Sequence, residues 1–323
     1  MLHLRKFLVA ATVAATAAMS GASATMAQGL EFTITAPAGA GGGWDSASRS
    51  LQEVMMATGA AKSVQVVNVP GAGGTVGLAQ FVGSAKGSPK QLLVAGITLV
   101  GASISNRSPV DLTQVTPVAR LTGDPLVIVV PKDSPIQTMD DLLKAIKTDV
   151  AKAIWVGGSA GGADHILAAL VTKAAGEDPA KINYVAYSGG GESLAAMLGG
   201  QATAGVSGYG EWEGQIKSGD LRALAISYPE PIEGIEAMPL KAQGLDIELV
   251  NWRGVFAGPG VEGADLEAIE AAVEKTVKSE QWQAVLKTRG WTDYYAPSGE
   301  FKTFIGSETE RVHGILKSIG LAD

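Results

Sequence analysis

Short apolar runs and longer mixed stretches alternate along the first third of the chain. Three runs rich in Val, Ile and Leu, residues 32–36, 64–68 and 92–95, have the length and composition of β-strands. Residues 44–56 and 76–84, which follow the first two runs, have the pattern of helices. Because strand and helix take turns, the pattern predicts a parallel sheet with crossover helices.

A second series of strands and helices follows the apolar run 126–131, which predicts a strand leaving the first series. Its predicted strands are 153–156, 183–187, 202–207 and 222–227, and its predicted helices are 138–146, 163–174, 192–198 and 211–217. The chain then returns through strands 248–252 and 255–257 to helices 265–278, 280–289 and 298–319. This order predicts a discontinuous first domain, residues 28–128 plus 252–323, with a second domain, 129–251, inserted into it.

Glycine-rich turns join predicted strands to predicted helices at 37–43, 70–75, 157–162 and 188–191. Such a turn directs free backbone N–H groups and the positive end of a helix dipole at one spot, and glycine lets an anion come close. The carboxyl ends of parallel strands share one edge of a sheet, so the turns predict an anion site there. Thr75 is the predicted N-cap of helix 76–84.

Nucleotide binding is disfavoured by the spacing of these glycines. A dinucleotide fingerprint needs glycine at the first, third and sixth positions, but Gly39 and Gly41 are followed by Trp44 at the sixth. The run that starts at Gly71 fails at the same place, since Val76 occupies its sixth position, and no GxxxxGK[ST] loop occurs in the chain.

The first 27 residues have the features of a secretory signal peptide: basic Arg5 and Lys6, the apolar stretch 7–19, and small residues before Ala27. Cleavage after Ala27 is favoured, with Ala24 as the other candidate site. The chain has no cysteine, so neither a disulfide nor a lipid-bearing N-terminal cysteine is available. These features predict a soluble protein of the periplasm with no stable membrane anchor.

Charge and metal ligands narrow the function classes further. Removal of residues 1–27 leaves 23 basic and 32 acidic residues, a net charge of −9, which disfavours binding to nucleic acid or to anionic membranes. His165 and His313 are the two histidines that remain, so the supply of zinc ligands is poor and no metal site is predicted. No cofactor is expected either.

Six segments together resemble the tripartite tricarboxylate transporter receptor family. They are PAGAGGGWD (37–45), VVNVPGAGGTVG (66–77), GGSAGGADHILAALVTKAAG (157–176), INYVAYSGGGESLAAMLGGQATAGVSG (182–208), NWRGVFAGPG (251–260) and RGWTDYY (289–295). The details GGGWD, SAGGADHI and YSGGGES are most similar to the tricarboxylate-binding branch. Relatives often carry an Arg-containing turn and a Pro-Thr pair near residues 228–239, where this chain has neither.

The resemblance implies a two-domain periplasmic solute-binding protein of a type II-like α/β fold, with two crossing strands as the hinge. Such a receptor closes on a carboxylate, here foremost a tricarboxylate such as citrate. It then delivers the ligand to a permease of one large and one small integral membrane subunit. A monomer is the expected state, and dicarboxylates and aromatic acids remain alternative ligands.

The resemblance also implies where the ligand lies, on turns of the two domains that face each other. The residues implied on the first domain are Ala38, Gly39, Gly41, Gly42, Gly43, Trp44, Asp45, Gly73, Thr75 and Thr98. Those implied on the second domain are Ser159, Gly161, Gly162, Asp164, His165, Tyr187, Ser188, Gly189, Ser207 and Gly208.

Several of these side chains have more than one interpretation. Ser159 and the amides of Gly161 and Gly162 can donate hydrogen bonds to a carboxylate, but Ser159 can also cap the next helix. His165 would add a cation to the site if it were protonated. Asp45 can pair with Arg49 four residues later or order the loop amides, and Arg253 can hold a ligand carboxylate or form a salt bridge at the hinge.

An exported serine hydrolase is the competing function. Residues 157–161 match G-x-S-x-G between a predicted strand and a predicted helix, the context that a nucleophilic serine requires. The general base would have to be His313, because His165 lies only six residues after Ser159. His313 lies within the last predicted helix rather than on a loop after a strand, which disfavours this alternative.

Overall fold

The computed structural model describes residues 29–323, so the predicted signal peptide lies outside the described residues. Ten strands form a mixed sheet that runs through both halves of the molecule. The strands are β1 (Glu31–Ala36), β2 (Ser63–Asn68), β3 (Gln91–Gly96), β4 (Thr116–Pro131), β5 (Ile154–Gly157), β6 (Asn183–Ala186), β7 (Ala204–Gly208), β8 (Leu221–Ile226), β9 (Val250–Ala257) and β10 (Thr292–Pro297).

Helices pack on both faces of this sheet. They are α1 (Gly43–Ala57), α2 (Thr75–Ser84), α3 (Ile97–Ser105), α4 (Met139–Thr148), α5 (Ala163–Ala174), α6 (Gly190–Leu198), α7 (Tyr209–Lys217), α8 (Gly263–Val277), α9 (Glu280–Arg289) and α10 (Ser298–Ser318). The predicted α/β class and the predicted crossover helices are therefore confirmed. Two elements have no counterpart in the prediction, namely α3, which follows β3 without a loop, and β10.

The strand order is β2-β1-β3-β9-β4-β7-β5-β6, and β8 and β10 also pair with β4. In the first half β1 runs parallel to β2 and β3, and in the second half β5 runs parallel to β6 and β7. The long strands β4 and β9 lie at the centre and run antiparallel to each other. Each half therefore gathers the carboxyl ends of its parallel strands at one edge, where ligands bind in such sheets.

Strand β4 belongs to both halves of the molecule. Residues 116–125 pair with β9, whereas residues 126–131 pair with β7 and β8. The prediction of a strand limited to 126–131 was wrong because Pro117, Gly123 and Pro125 interrupt the apolar pattern, while register shifts accommodate the first part of the strand. The change of partner after Pro125 lies close to the predicted domain boundary at 128/129, and we propose the division 28–128 plus 252–323 and 129–251 on that basis.

The apolar run of β4 is buried on both faces, and its side chains enter two different parts of the core. Ile128 and Val130 belong to the main hydrophobic cluster, whereas Val127 and Val129 pack with Tyr209 and Trp212 in a second cluster under α7. Alternate side chains of a strand point to opposite faces, so an unbroken apolar run is what burial on both sides requires.

Candidate functional site

A cleft of about 440 Å³ opens between the two halves, at the carboxyl ends of the parallel strands. Its walls are the β1–α1 and β2–α2 loops and the start of α3 on one side, and the β5–α5 and β6–α6 loops and the junction of β7 with α7 on the other. The predicted residues that line the cleft are Ala38, Gly39, Gly42, Gly43, Trp44, Gly73, Thr98, Ser159, Asp164, Tyr187, Ser188, Gly189 and Gly208. Gly41, Asp45, Thr75, Gly161, Gly162, His165 and Ser207 are not among the lining residues.

Glycine occupies the N-cap of every helix that begins at this cleft, including Gly74 of α2 and Gly96 of α3. Gly42 precedes α1, Gly162 precedes α5, Gly189 precedes α6 and Gly208 precedes α7, and none of them supplies a side-chain cap. Outside the helices, the backbone N–H groups of Gly39, Ser159 and Gly189 have no acceptor within residues 29–323. Uncapped N-termini and free amides of this kind suit a negatively charged group.

Asp45 does not line the cleft but orders the β1–α1 loop through hydrogen bonds. Its Oδ2 accepts hydrogen bonds from the backbone N–H of Gly41 at 2.8 Å and from Nε of Arg49 at 3.0 Å, and its Oδ1 accepts one from Asn68 Nδ2 at 2.8 Å. Burial acts to raise the pKa of Asp45, but the hydrogen bonds from Arg49, Gly41 and Asn68 together hold that pKa below its ordinary value. The predicted pairing with Arg49 and the predicted ordering of the loop are both confirmed.

Thr75 is the first residue of α2 and not its N-cap, so this prediction was wrong. The N-cap is Gly74, which has a left-handed φ of 95°. A Cβ there would lie 2.6 Å from the ring of Trp44, so glycine is required on both conformational and packing grounds. The Thr75 hydroxyl donates instead to the carbonyl of Ala72 at 3.0 Å.

In the β5–α5 loop, two backbone N–H groups that the sequence predicted to be free are already hydrogen-bonded. The N–H of Gly162 donates to the carbonyl of Ser159 at 2.9 Å, and the N–H of Gly161 donates to Nδ1 of His165 at 3.1 Å. These two amides are therefore occupied, and the prediction that they donate to a carboxylate was wrong. Ser159 is not the cap of α5 either, so its hydroxyl and its backbone N–H both remain available at the cleft.

His165 supports this loop and does not provide a cation. Its ring is buried and stacks on Tyr184 with 4.2 Å between ring centroids. Desolvation lowers the pKa of His165 to about 4, so the ring is neutral near pH 7 and its Nδ1 can accept the Gly161 amide. The Tyr184 hydroxyl donates to the carbonyl of Gly158 at 2.8 Å and completes the support.

A buried ion pair lies at the crossing of the two central strands. Nη2 of Arg253, on β9, donates to Oδ2 of Asp124, on β4, and both side chains are almost fully buried. A Cβ at Gly43 would lie 2.5 Å from Arg253 Nη2, and a Cβ at Gly208 would lie 2.4 Å from Asp124 Oδ2. The predicted hinge salt bridge is thus confirmed, and one glycine from each wall of the cleft packs against it.

Arg253 also lines the cleft, and its Nη1 is buried without a hydrogen-bond partner in the described part of the chain. Asp124 Oδ1 is likewise buried without a partner among these residues. Burial raises the pKa of Asp124 to about 6 although the charge of Arg253 acts in the opposite direction. The ion pair of Asp124 and Arg253 thus connects the crossing of the two central strands with the cleft.

Acidic side chains on the second wall were missed by the sequence analysis. Glu192 and Glu211, in the first turns of α6 and α7, line the cleft together with Asp164. The Ser207 hydroxyl donates to Glu211 Oε2 at 2.6 Å, which explains why Ser207 does not face the cleft as predicted. Their place in a first helical turn was the available signal, but acids there also serve the helix dipole. Asn106, Asn251 and Arg253 were likewise absent from the predicted list of lining residues.

The geometry gives no support to a serine hydrolase. In residues 29–323 no hydrogen bond joins Ser159 Oγ to a histidine, and the acceptor nitrogen of His165 is engaged by Gly161. His313 lies within α10, on the wall of a separate cavity. The same residues contain no group of three potential metal-binding side chains. No helix in this part of the chain is long and apolar enough to cross a membrane.

Two α/β halves that share a central sheet and face each other across an amide-rich cleft define a two-domain solute-binding protein. Residues 48–321 match the tripartite tricarboxylate transporter family receptor, and the chain belongs to this family. The resemblance seen in the sequence is thereby confirmed at the level of the family.

Individual relatives agree with this assignment. Protein BugT of Bordetella pertussis is 26% identical over 278 residues, which cover 84% of this chain and 83% of BugT. Among solved structures, the periplasmic binding protein BugD is similar with a TM-score of 0.81 and 20% identity, over 90% of this chain and 98% of BugD. Rpa4515 of R. palustris, solved with adipate, gives a TM-score of 0.82 and 18% identity over 90% of this chain and 98% of Rpa4515.

Proposed function

We propose that this chain is a periplasmic receptor that captures a carboxylate, foremost a tricarboxylate such as citrate, and delivers it to a tripartite tricarboxylate transporter permease. The observation that carries the proposal is the set of glycine N-caps, Gly42, Gly189 and Gly208, that line one cleft. Because glycine has no side chain, none of these N-cap residues can accept a hydrogen bond from the first N–H groups of its helix. Carboxylate oxygens are the acceptors that such groups suit.

Three further groups support a carboxylate rather than a neutral solute. The hydroxyl and N–H of Ser159 are available on one wall, and Arg253, whose Nη1 is buried without a hydrogen-bond partner in residues 29–323, is among the residues that line the cleft. A charge-assisted hydrogen bond contributes about 1.5–3 kcal/mol, so a few such contacts are enough for a useful affinity. Rpa4515, which is similar in fold, was solved with the dicarboxylate adipate, and this supports a dicarboxylate as the alternative to a tricarboxylate here.

The cellular context completes the proposal. The predicted signal peptide at residues 1–27 and the lack of cysteine support an exported protein that diffuses freely between its ligand and the permease. We further propose that the receptor works as a monomer and that the large and small membrane subunits of the permease are its partners.

Thermal unfolding of the mature protein against a panel of acids tests the proposal. The protein is stripped of ligand by refolding and is then titrated with citrate, isocitrate, cis-aconitate, succinate, adipate, terephthalate, glutamate and nicotinate. A ligand at 100 times its Kd stabilises the native state by about 2.7 kcal/mol, which corresponds to a shift in Tm of roughly 5 °C for a chain of this size.

The pattern of shifts decides between the ligand classes. A shift confined to citrate, isocitrate and cis-aconitate supports the tricarboxylate assignment. A shift with adipate, succinate or terephthalate alone keeps the receptor function and rejects the tricarboxylate. If no acid in the panel stabilises the protein, the receptor proposal fails in its present form.

A further inference from the structure

We propose that Asp164 binds the ligand in its acid form, so that capture of a carboxylate takes up one proton from solvent and the protonated side chain donates a hydrogen bond to the ligand. This inference rests on the proposed function, since it concerns the same cleft. Protonation of Asp164 removes one negative charge from a wall that carries several acids, and this favours the binding of an anionic ligand.

The position of Asp164 is fixed by the β5–α5 loop. Its Oδ2 accepts the backbone N–H of Gly158 at 2.7 Å, and a Cβ at Gly157 would lie 2.9 Å from the Cβ of Asp164. The other oxygen, Oδ1, has no hydrogen-bond partner in residues 29–323, although Asp164 lines the cleft. Oδ1 is thus the atom that can carry a proton towards a ligand.

Asp164 is half-buried and differs from the two buried carboxylates near the site, Asp45 and Asp124. Asp45 is paired with Arg49, and Asp124 is paired with Arg253. No Lys or Arg in the described residues lies within 4 Å of Asp164, so no cation there holds it in its charged form by direct contact.

The groups around Asp164 are mostly acidic or neutral. Glu211 on α7 and Asp124 on β4 act on it as negative charges, and Arg253 on β9 opposes them with a smaller effect. Tyr184 on β6 keeps its proton because burial raises its pKa, and His165 on α5 is neutral. Glu192 on α6 adds a further acid to the wall of the cleft.

Burial, followed by the charges of Glu211 and Asp124, raises the pKa of Asp164 to about 7, against the lowering effect of the Gly158 amide. A carboxylate that enters the cleft adds another negative charge nearby, which raises the pKa of Asp164 further. We therefore expect the empty receptor to hold this proton part of the time near neutrality and the complex to hold it more of the time. The only bond that forms in the step is O–H on Asp164, with a proton taken from the buffer.

Isothermal titration calorimetry in buffers of different ionisation enthalpy measures this proton uptake. Adipate is the probe, because both its carboxyls are already ionised between pH 7 and 9. We expect net proton uptake at pH 7 that increases at pH 8.5, and an affinity that falls as the pH rises above 7, by at most about tenfold per pH unit. Citrate is measured in the same way as a second anionic probe.

The variant Asp164→Asn separates this mechanism from other sources of protons. Asparagine can donate the same hydrogen bond without titrating, so the variant is expected to bind adipate with no proton uptake and with an affinity independent of pH. Asp178→Asn, on an exposed segment away from the cleft, is the matched control and should keep the wild-type dependence. Should Asp164→Asn not fold, infrared difference spectra of the wild-type protein should show a protonated carboxyl that appears when adipate binds.

The outcomes distinguish the two proposals. Binding of adipate or citrate without proton uptake, or uptake that persists in Asp164→Asn, overturns the role of Asp164 and leaves the receptor function standing. Tighter binding of glutamate than of adipate, again without uptake, also overturns it, because Asp164 would then face an ammonium group as a carboxylate. No binding of any carboxylate would overturn the receptor function and this inference with it.

Discussion

Thr98 and Ala163 lie on opposite walls of the cleft, and the Oγ1 of Thr98 accepts the hydrogen bond donated by the backbone N–H of Ala163 at 3.2 Å. Thr98 is in the first turn of α3, whereas Ala163 begins α5, whose own N-cap residue is Gly162. A side chain of the first half therefore caps a helix of the second half. This contact couples the approach of the two walls to the stability of a helix N-terminus at the site.

Loss of this cross-cleft cap should weaken ligand binding more than it weakens folding. Thr98→Val keeps the shape of the side chain but removes the acceptor, which costs about 0.5–2 kcal/mol when a helix loses its cap. Since the contact joins the two walls, most of that energy should appear as a Kd raised about 2- to 30-fold. Calorimetry on Thr98→Val checks this. Thr98→Ser retains the hydroxyl and should bind as the wild type does; equal affinity in all three proteins would contradict the prediction.

Removal of the Ser159 hydroxyl should affect the ligand and not the fold. Ser159 Oγ donates no hydrogen bond within residues 29–323, so Ser159→Ala should leave the Tm of the empty protein unchanged. Loss of one charge-assisted donor should raise the Kd for the best carboxylate about tenfold. Titration of the ligand into both proteins measures the difference, with Ser307→Ala on the exposed side of α10 as the control. An unchanged Kd would remove Ser159 from the site.

Gly43 is expected to tolerate no side chain, although it lies in a helix where alanine is intrinsically preferred. A Cβ at Gly43 would lie 2.5 Å from Arg253 Nη2, so Gly43→Ala must displace the hinge ion pair. We expect a loss of about 1–3 kcal/mol in the free energy of unfolding, measured with urea. Gly214→Ala in α7, where nothing lies within 4 Å of the added atom, should instead stabilise by up to about 1 kcal/mol. A similar effect of both substitutions would show that the ion pair yields easily.

Arg253→Met should be among the most destabilising single changes, because it leaves Asp124 buried without its partner. Loss of one member of a buried pair costs about 3–5 kcal/mol. The pKa of Asp124 is already raised to about 6, so the cost should be smaller at pH 5, where Asp124 is protonated, than at pH 8. Urea unfolding at both pH values checks the difference. The double variant Arg253→Met, Asp124→Leu should recover much of the loss, and a loss independent of pH would contradict this account.

The buried His165 should make the protein less stable in mild acid. Its pKa is lowered to about 4 in the folded state and is near 6.5 when unfolded, so the unfolded chain binds the proton more tightly between these values. Stability from this group is therefore full above pH 6.5 and is lost as the pH falls towards 4, by at most about 1.4 kcal/mol per pH unit. His165→Asn keeps an acceptor for the Gly161 amide and should remove this slope. His313→Asn on the surface of α10 should retain it, and identical slopes in the two variants would refute the prediction.

Much of the architecture followed from the local pattern of the chain. The strands β1, β2, β3 and β5 to β8 and most helices fell close to their predicted positions, because each is an apolar run or a helical stretch that the local sequence predicts. Strand β4 was predicted too short and β9 was predicted as two strands, since Pro117, Gly123 and Gly254 break the pattern that pairing with neighbours sustains. Helix α3 was missed because it begins directly at the end of β3, without a polar turn.

The sequence by itself determined the α/β class, the family, and the glycine-rich loops that form the cleft, because these depend on residues close together in the chain. Only the tertiary structure decided which donors remain free. The backbone N–H of Gly161 donates to His165 on α5, and that of Gly162 donates to the carbonyl of Ser159, so neither is free. Thr98 accepts a hydrogen bond from the first residue of α5 across the cleft. The tertiary structure also placed Arg253 between Gly43 and Asp124, and Asp164 beside Glu211. Charge and hydrogen bonding at a site depend on distances between residues far apart in sequence, and those distances exist only after the chain has folded.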